Sequence, residues 1–74
     1  MSLRSYTVAM STPLGLKLKQ VREAKGLTQT ALATKAGVSR AYVFRIEAGG
    51  ADPTVGILRK LAKALRVRPA TLLE

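Results

Sequence analysis

Four residues in the middle of the chain are spaced so that one face of a helix would carry all of them. Two are arginines, and the set consists of Arg40, Ala41, Phe44 and Arg45. Because a helix turns once in about 3.6 residues, these positions share one side. A guanidinium there can donate two hydrogen bonds to O6 and N7 of a guanine, and an alanine or phenylalanine can contact a thymine methyl group. The face therefore has the chemistry needed to contact the base edges of DNA.

Other interpretations of this segment remain open. Arg40 and Arg45 can be solvated charges, although the motif around them favours contact with DNA. An exposed Phe44 is as consistent with packing against a neighbouring side chain or a protein partner as with contact to bases. Tyr42 can offer its hydroxyl to a phosphate or lie partly buried with that hydroxyl bonded to the backbone.

Two short helices joined at a glycine are predicted to position this face. Thr28 and Ser39 have the side-chain oxygens that cap helices, and they precede the predicted helices Gln29–Ala36 and Arg40–Ala48. Gly37 falls where a chain leaving a helix often needs positive φ. The residues predicted to face inward are Leu32, Ala33, Ala36, Val38, Val43 and Ile46. This pattern is a helix-turn-helix, whose second helix enters the major groove of DNA.

Three more helices complete the predicted fold. One should run from Pro13 to about Lys25, with Leu14, Leu18 and Val21 inward, and another should start after the cap Thr54. The last, Pro69–Leu73, begins with proline and should close the core with Leu72 and Leu73. The predicted fold class is therefore all-α, with five short helices.

Length and periodicity indicate one domain preceded by an arm. At 74 residues the chain has a size that buries roughly 60% of its unfolded surface. Residues 12–74 form the predicted DNA-binding domain, whereas residues 1–11 have no helical period and are predicted to be a flexible arm. Arg4 in this arm can enter a minor groove, as basic arms do.

The composition excludes most catalytic and metal-binding chemistry. The chain has no cysteine, no histidine and only 4 aspartates and glutamates. Disulfides, zinc fingers, thiol nucleophiles and imidazole bases are therefore excluded. With no glycine-rich phosphate loop either, we expect no catalytic residue, no metal, no cofactor and no evident small-molecule ligand. The protein is not predicted to be an enzyme.

The charge favours an anionic macromolecule as partner. The 13 lysines and arginines against 4 acids give a net charge of +9, which attracts nucleic acid or an acidic membrane. A membrane role has less support, because the basic residues do not form the polar half of one long amphipathic helix. With no apolar secretion signal, the predicted location is the cytoplasm, at the nucleoid.

From Leu14 to Leu73 the sequence resembles the phage-repressor/Cro-like family of helix-turn-helix regulators, often called the XRE family. The Arg-Ala-Tyr segment at 40–42 is also similar to the controller proteins of restriction–modification systems. The matching residues are Gly15, Leu18, Arg22, Gly26, Leu27, Thr28, Gln29, Leu32, Ala33, Gly37, Val38, Ser39, Val43, Ile46, Glu47, Gly49, Pro53, Leu61, Ala62, Lys63, Ala64 and Leu65.

This resemblance implies a compact five-helix lambda-repressor-like domain that binds a two-fold operator as a homodimer and regulates transcription. It places a phosphate contact at Gln29 and base contacts in the first turns of the recognition helix Arg40–Ala48, from Ser39 to Arg45. The hydroxyls of Ser39 and Tyr42 are further candidates for phosphate contacts. Gln29 also stands at a helix N-terminus, where free backbone N–H groups attract a phosphate. Many members have a basic residue soon after the recognition helix, whereas this chain has the acidic Asp52. Side-chain phosphate contacts from that loop are not expected.

The resemblance also implies an internal ion pair and a dimer surface. Arg22 and Glu47 are expected to pair and so tie the first helix to the recognition helix. The dimer surface is expected in the C-terminal third, at Val67, Leu72 and Leu73. The alternative function is a protein-interaction module of the same fold, similar to an antitoxin or a coactivator, whose main partner is another protein.

Overall fold

Five α-helices make up most of residues 12–74, the part of the chain that the computed structural model describes. They are α1 (Pro13–Ala24), α2 (Gln29–Ala36), α3 (Arg40–Glu47), α4 (Val55–Leu65) and α5 (Pro69–Leu73). This range contains no strand, so the all-α, five-helix prediction is confirmed. The predicted arm, residues 1–11 with Arg4, lies outside the described residues.

Four of the helices begin at a hydroxyl side chain, as the sequence predicts. Each hydroxyl oxygen accepts a hydrogen bond from the backbone N–H three residues later, at 2.9–3.1 Å. Such a cap contributes about 1 kcal/mol, because it satisfies a donor that has no partner within the helix. The four caps are Thr12 for α1, Thr28 for α2, Ser39 for α3 and Thr54 for α4.

The turn between α2 and α3 depends on Gly37. This residue has φ 73° and ψ 32°, a left-handed conformation that glycine adopts without steric cost. The chain reverses there, and the Val38 N–H donates to the Ala33 carbonyl at 3.0 Å. Only Val38 and the cap Ser39 then separate the glycine from α3. The turn thus sets the crossing of the two helices within three residues.

All five helices contribute to a single apolar core. Leu73, however, is 65% exposed while Leu72 is 1% exposed, so the prediction that Leu73 closes the core is wrong. Neighbouring residues of a helix point about 100° apart, and only one of the two can face inward. The buried apolar side chains are Leu18, Leu32, Ala33, Ala36, Val43, Ile46, Leu58, Leu61, Ala62, Leu65 and Leu72. Leu14, Val21 and Val38 pack against this core half-buried.

Helix α1 crosses the end of α3 at a distance that only a glycine allows. Gly15 is buried, and a Cβ placed on it would collide with the backbone carbonyl oxygens of Ile46 and Glu47, the latter at 2.8 Å. Backbone atoms cannot move away without displacing a helix. The approach therefore fixes where the C-terminal end of α3 lies against α1.

No helix among residues 12–74 is long and apolar enough to cross a membrane.

We predict that Gly15→Ala destabilises the domain by at least about 1–3 kcal/mol, the usual cost of overpacking a closed contact. Gly56→Ala is the matched control, because Gly56 is also helical and a Cβ there would meet only Thr54 Oγ1 at 3.8 Å. The control should gain about 0.5–1 kcal/mol from the better helix propensity of alanine. Urea unfolding followed by circular dichroism measures both. Equal effects of the two substitutions would contradict the close approach.

Candidate nucleic-acid interface

Helix α3 has one buried side and one exposed side. The buried side carries Val43, Ile46 and Glu47, which are 0%, 1% and 7% exposed. At about 100° per residue, the opposite residues fall within an arc of roughly 140°. These exposed residues are Arg40, Ala41, Phe44 and Arg45, with Phe44 at 53% exposure. The structure therefore brings the four predicted base-contacting residues together on one solvent-facing surface, which we call the α3 face.

The residues predicted to contact phosphates lie around the first turn of α3 and the first turn of α2. Ser39 is exposed, and its hydroxyl oxygen accepts the Tyr42 N–H, which leaves the hydroxyl proton free to donate. Tyr42 is half-buried and packs against the core. Its partial burial is compatible with both interpretations drawn from the sequence. Gln29, the first residue of α2, is half-buried.

A buried hydrogen-bonded network ties α3 to α1 and α2. Arg22 donates from Nε to Glu47 Oε2 at 2.6 Å and from Nη2 to Glu47 Oε1 at 3.1 Å. The structure thus brings together the two residues that the family resemblance pairs. Arg22 also donates from Nη1 to the Leu27 carbonyl at 2.8 Å. Among residues 12–74, no buried side-chain nitrogen or oxygen lacks a hydrogen-bond partner.

Gln29 is the third member of this network. Its Nε2 donates to Glu47 Oε1 at 3.0 Å. The amide group has a second N–H, which stays available for a phosphate. This contact could not be predicted from the sequence, because the two residues are 18 positions apart and meet only in the folded domain. Gln29 is therefore held in place at the start of α2 by the same carboxylate that holds Arg22.

The surroundings of Arg22 favour its charged form. The hydrogen bond with Glu47 raises the pKa of Arg22 above its ordinary value, burial opposes this rise, and the charges of Glu47 and Glu23 add to it. A raised pKa stabilises the fold below the unfolded value, and that contribution is lost only as the pH rises through the folded value. Arg22 therefore introduces no pH dependence in the neutral range.

The predicted dimer residues are not all on the surface. Leu72 is 1% exposed and belongs to the core, so its assignment to a dimer surface is wrong. Val67 is half-buried and Leu73 is 65% exposed. Two other exposed apolar side chains were missed from the sequence, Val55 at 66% and Leu16 at 47% exposure. Helical periodicity marks apolar positions as inward, and these two break that rule.

Comparison with curated proteins gives relatives that regulate transcription. The chain is 37% identical over 62 residues to the HTH-type transcriptional regulator SinR of Bacillus subtilis. This match covers 82% of this chain and 56% of SinR. It is 34% identical over 59 residues to the immunity repressor protein of Bacillus phage phi105, covering 80% of this chain and 41% of the repressor. The chain thus spans about half the length, or less, of these relatives.

Solved protein structures are also similar to this chain. The restriction–modification controller protein C.AhdI of Aeromonas hydrophila superposes with a TM-score of 0.80 at 38% identity, covering 81% of this chain and 91% of the controller. SinR crystallised in complex with DNA gives a TM-score of 0.79 at 37% identity, covering 82% of this chain and 98% of that chain. Both neighbours have the helix-turn-helix arrangement seen here.

In this all-helical domain, the capped helix α2 ends at a glycine and is followed by α3, whose exposed side is basic. This arrangement is typical of a helix-turn-helix domain. The profile of the helix-turn-helix family (HTH_3) matches residues 18–72. The chain belongs to this family. The XRE-type resemblance and the lambda-repressor-like fold expected from the sequence are therefore confirmed.

We predict that Glu47→Gln lowers the free energy of unfolding by about 3–5 kcal/mol, because it leaves the buried Arg22 charge without its counter-charge. Glu23→Gln is the matched control: this carboxylate lies 3.9 Å from Arg22, but its side chain is 57% exposed. An exposed pair contributes only about 0–1 kcal/mol. Denaturant unfolding of both variants tests this. A loss for Glu47→Gln below about half a kcal/mol would dismiss the structural role of the pair.

Proposed function

We propose that this protein is a transcriptional regulator that binds double-stranded DNA sequence-specifically, with α3 in the major groove. One observation carries the proposal: the α3 face is exposed and has two guanidinium groups, while the other side of the same helix is fixed in the core. The relatives support it, since they are regulators and SinR has been crystallised with DNA. Binding and regulation of this kind require no catalytic residue, so the protein is not an enzyme.

The α3 face divides its work between hydrogen bonding and shape. Arg40 and Arg45 donate to guanine O6 and N7, which discriminates between bases by roughly 1–3 kcal/mol per bidentate contact. Ala41 lies between them, and its small side chain lets the helix approach the base edges closely. Phe44 at the same surface contacts thymine methyl groups or a deoxyribose.

Phosphate contacts set the position of the duplex against this face. Gln29 uses its remaining amide N–H at the positive end of α2, and Ser39 and Tyr42 donate their hydroxyls beside α3. After α3, Gly50 and Asp52 offer no basic side chain, so the loop contributes backbone N–H groups. The net charge of +9 supplies the long-range attraction and predicts that affinity falls with salt. The working location is then the cytoplasm, at the nucleoid.

A single domain of this size reads few base pairs, so operator binding requires two copies. Two copies related by a two-fold axis would place their half-sites roughly 10–10.5 base pairs apart, or a multiple of that. The exposed Leu73, the half-buried Val67 and the neighbouring C-terminal surface are the proposed dimer contact. Such a contact would remove Leu73 from water, where a large exposed apolar side chain is unfavourable.

A second candidate is the protein-interaction module. Leu16 and Phe44 are both exposed and line one cavity of about 230 Å³ beside Gln29 and Glu47. The apolar part of this cleft can accept an apolar side chain of a partner protein as well as a methyl group of DNA. A mobility-shift assay against genomic fragments at physiological salt separates the two candidates, because only the first predicts retarded DNA.

We predict that Arg40→Ala relaxes the base preference of the protein. The discrimination against other bases at one guanine position should fall by roughly 1–3 kcal/mol. Sites are first selected from a random DNA pool, and affinities are then measured by fluorescence anisotropy. Arg59→Ala is the control, because it removes the same charge from an exposed residue of α4 that is not part of the α3 face. Gln29→Ala should instead weaken binding to all sequences alike. If Arg40→Ala changed base preference no more than Arg59→Ala, the assignment of the α3 face would be wrong.

We predict that Leu73→Glu prevents dimer formation and weakens binding to a two-fold site, because it puts a charge where apolar surface should be buried. Sedimentation at tens of micromolar protein, with and without DNA, measures the oligomeric state. Gln20→Glu, on an exposed part of α1, makes the same change in net charge and should leave the dimer intact. A parent protein that stays monomeric on DNA would contradict the dimer proposal.

A further inference from the structure

A second basic site lies where α2 and α4 end, and it shares no residue with the α3 face. An open cavity of about 480 Å³ separates the last turn of α2 from the last turns of α4. Four cationic residues line it, together with Thr34, and no acidic residue does. The four are Lys35 on α2, Lys60 and Lys63 on α4, and Arg66 directly after α4.

The charge of this cavity exceeds what the helix ends can account for. Basic residues near a helix C-terminus are ordinarily balanced by the negative end of the helix dipole, which is equivalent to about half a charge. Two helix ends thus offset about one of the four positive charges. None of the four cations forms an ion pair with a carboxylate of residues 12–74. A positive excess of about three charges therefore remains in one concave place.

An adjoining cleft extends the positive surface. It has a volume of about 200 Å³, shares Lys35 and Arg66 with the larger cavity, and adds Lys25 from the end of α1. Leu27 and Leu65 form part of its wall. Because the two cavities share Lys35, Ala64 and Arg66, we treat them together as the basic groove, which five cationic residues line.

Arg66, which lines both cavities, also has an unusual backbone conformation. Arg66 has φ 60° and ψ 41° and is the one residue other than glycine with positive φ in the described range. This left-handed conformation favours glycine, because a Cβ is crowded there. An unfavourable conformation kept by a cation that lines a cavity is a feature that functional sites often show.

We propose that this groove binds a small anion with two or more phosphate groups, such as a nucleoside polyphosphate. The charge excess matches a multiply charged ligand, and a volume of about 480 Å³ falls in the range of small-molecule sites. A DNA duplex presents a convex row of phosphates and has no need of a cavity. The proposal goes beyond DNA binding and does not depend on it, since neither the ligand nor the residues are shared.

The test is a nitrogen-15 chemical-shift titration of the whole 74-residue chain with inorganic triphosphate and with ATP, at physiological ionic strength and without DNA. We expect saturable shifts centred on Lys35, Gly37, Lys63 and Arg66. Shifts centred instead on the N-termini of α2 and α3 would show that the anion imitates a DNA phosphate, and would overturn the proposal. Shifts that spread over the surface without saturating would overturn it too.

Paired variants separate this site from general charge attraction. Lys60→Gln with Lys63→Gln should weaken triphosphate binding at least about tenfold, because each contact between a cation and a phosphate is a charge-assisted hydrogen bond. Arg59→Gln with Arg68→Gln removes the same charge from exposed positions outside the cavity. That control should change the affinity much less. Equal losses in the two pairs would overturn the proposal.

Arg66→Gly gives a readout that does not depend on the lysines. Glycine relieves the left-handed backbone, so the thermal midpoint should stay at or rise above that of the parent. The triphosphate affinity should nevertheless fall, because one of the four cations is gone. An undiminished affinity in this folded variant would contradict a role for Arg66.

Discussion

The carboxylate of Glu47 is the group on which the placement of α3 depends. It is buried, and it accepts hydrogen bonds from Arg22 of α1 and from Gln29 of α2. A buried charge is costly unless it is paired and its hydrogen-bonding positions are filled, and here both conditions are met. Replacing such a pair by apolar residues is often neutral in stability. We therefore regard its main contribution as orientation: it joins three helices at one point.

The same end of α3 is fixed a second time, by backbone contact with Gly15. Hydrogen bonds define which side of α3 faces inward, whereas the glycine approach defines how far α3 lies from α1. Both constraints act at the C-terminal half of the helix. The N-terminal half, where Arg40 and Ala41 lie, is held by the Ser39 cap, the inward Val43 and the half-buried Tyr42. The exposed side of α3 therefore stays open to solvent while the direction of the helix is fixed.

Local chemistry explains why so much of the fold could be predicted from the sequence. The starts of the four hydroxyl-capped helices agree to the residue with the sequence prediction, because a hydroxyl cap forms within four consecutive residues. Helix ends were less exact: α1 ends at Ala24 and α3 at Glu47, one residue before the predicted Lys25 and Ala48. The last turn of a helix has fewer hydrogen bonds and is less sharply defined.

The features that the sequence did not reveal are those that depend on distant contacts. The five residues of α5 are too few for periodicity to decide between Leu72 and Leu73, and packing against the rest of the core decides it. Gln29 starts α2 as predicted, but its bond to Glu47 depends on how three helices meet. The basic groove was equally hidden, because Lys35 and Lys63 are 28 residues apart in a chain where cations are common.

The end of α4 differs from the ends of the three preceding helices. The chain places glycine with positive φ just after α1, α2 and α3, at Gly26, Gly37 and Gly49. At the end of α4 the same left-handed conformation is adopted by Arg66, which costs about 1–2 kcal/mol relative to an unstrained residue. Glycine would avoid this cost. Arg66 lines both basic cavities, so the unfavourable backbone conformation and the charge excess occur at one residue, which is the residue that the proposed anion site would use.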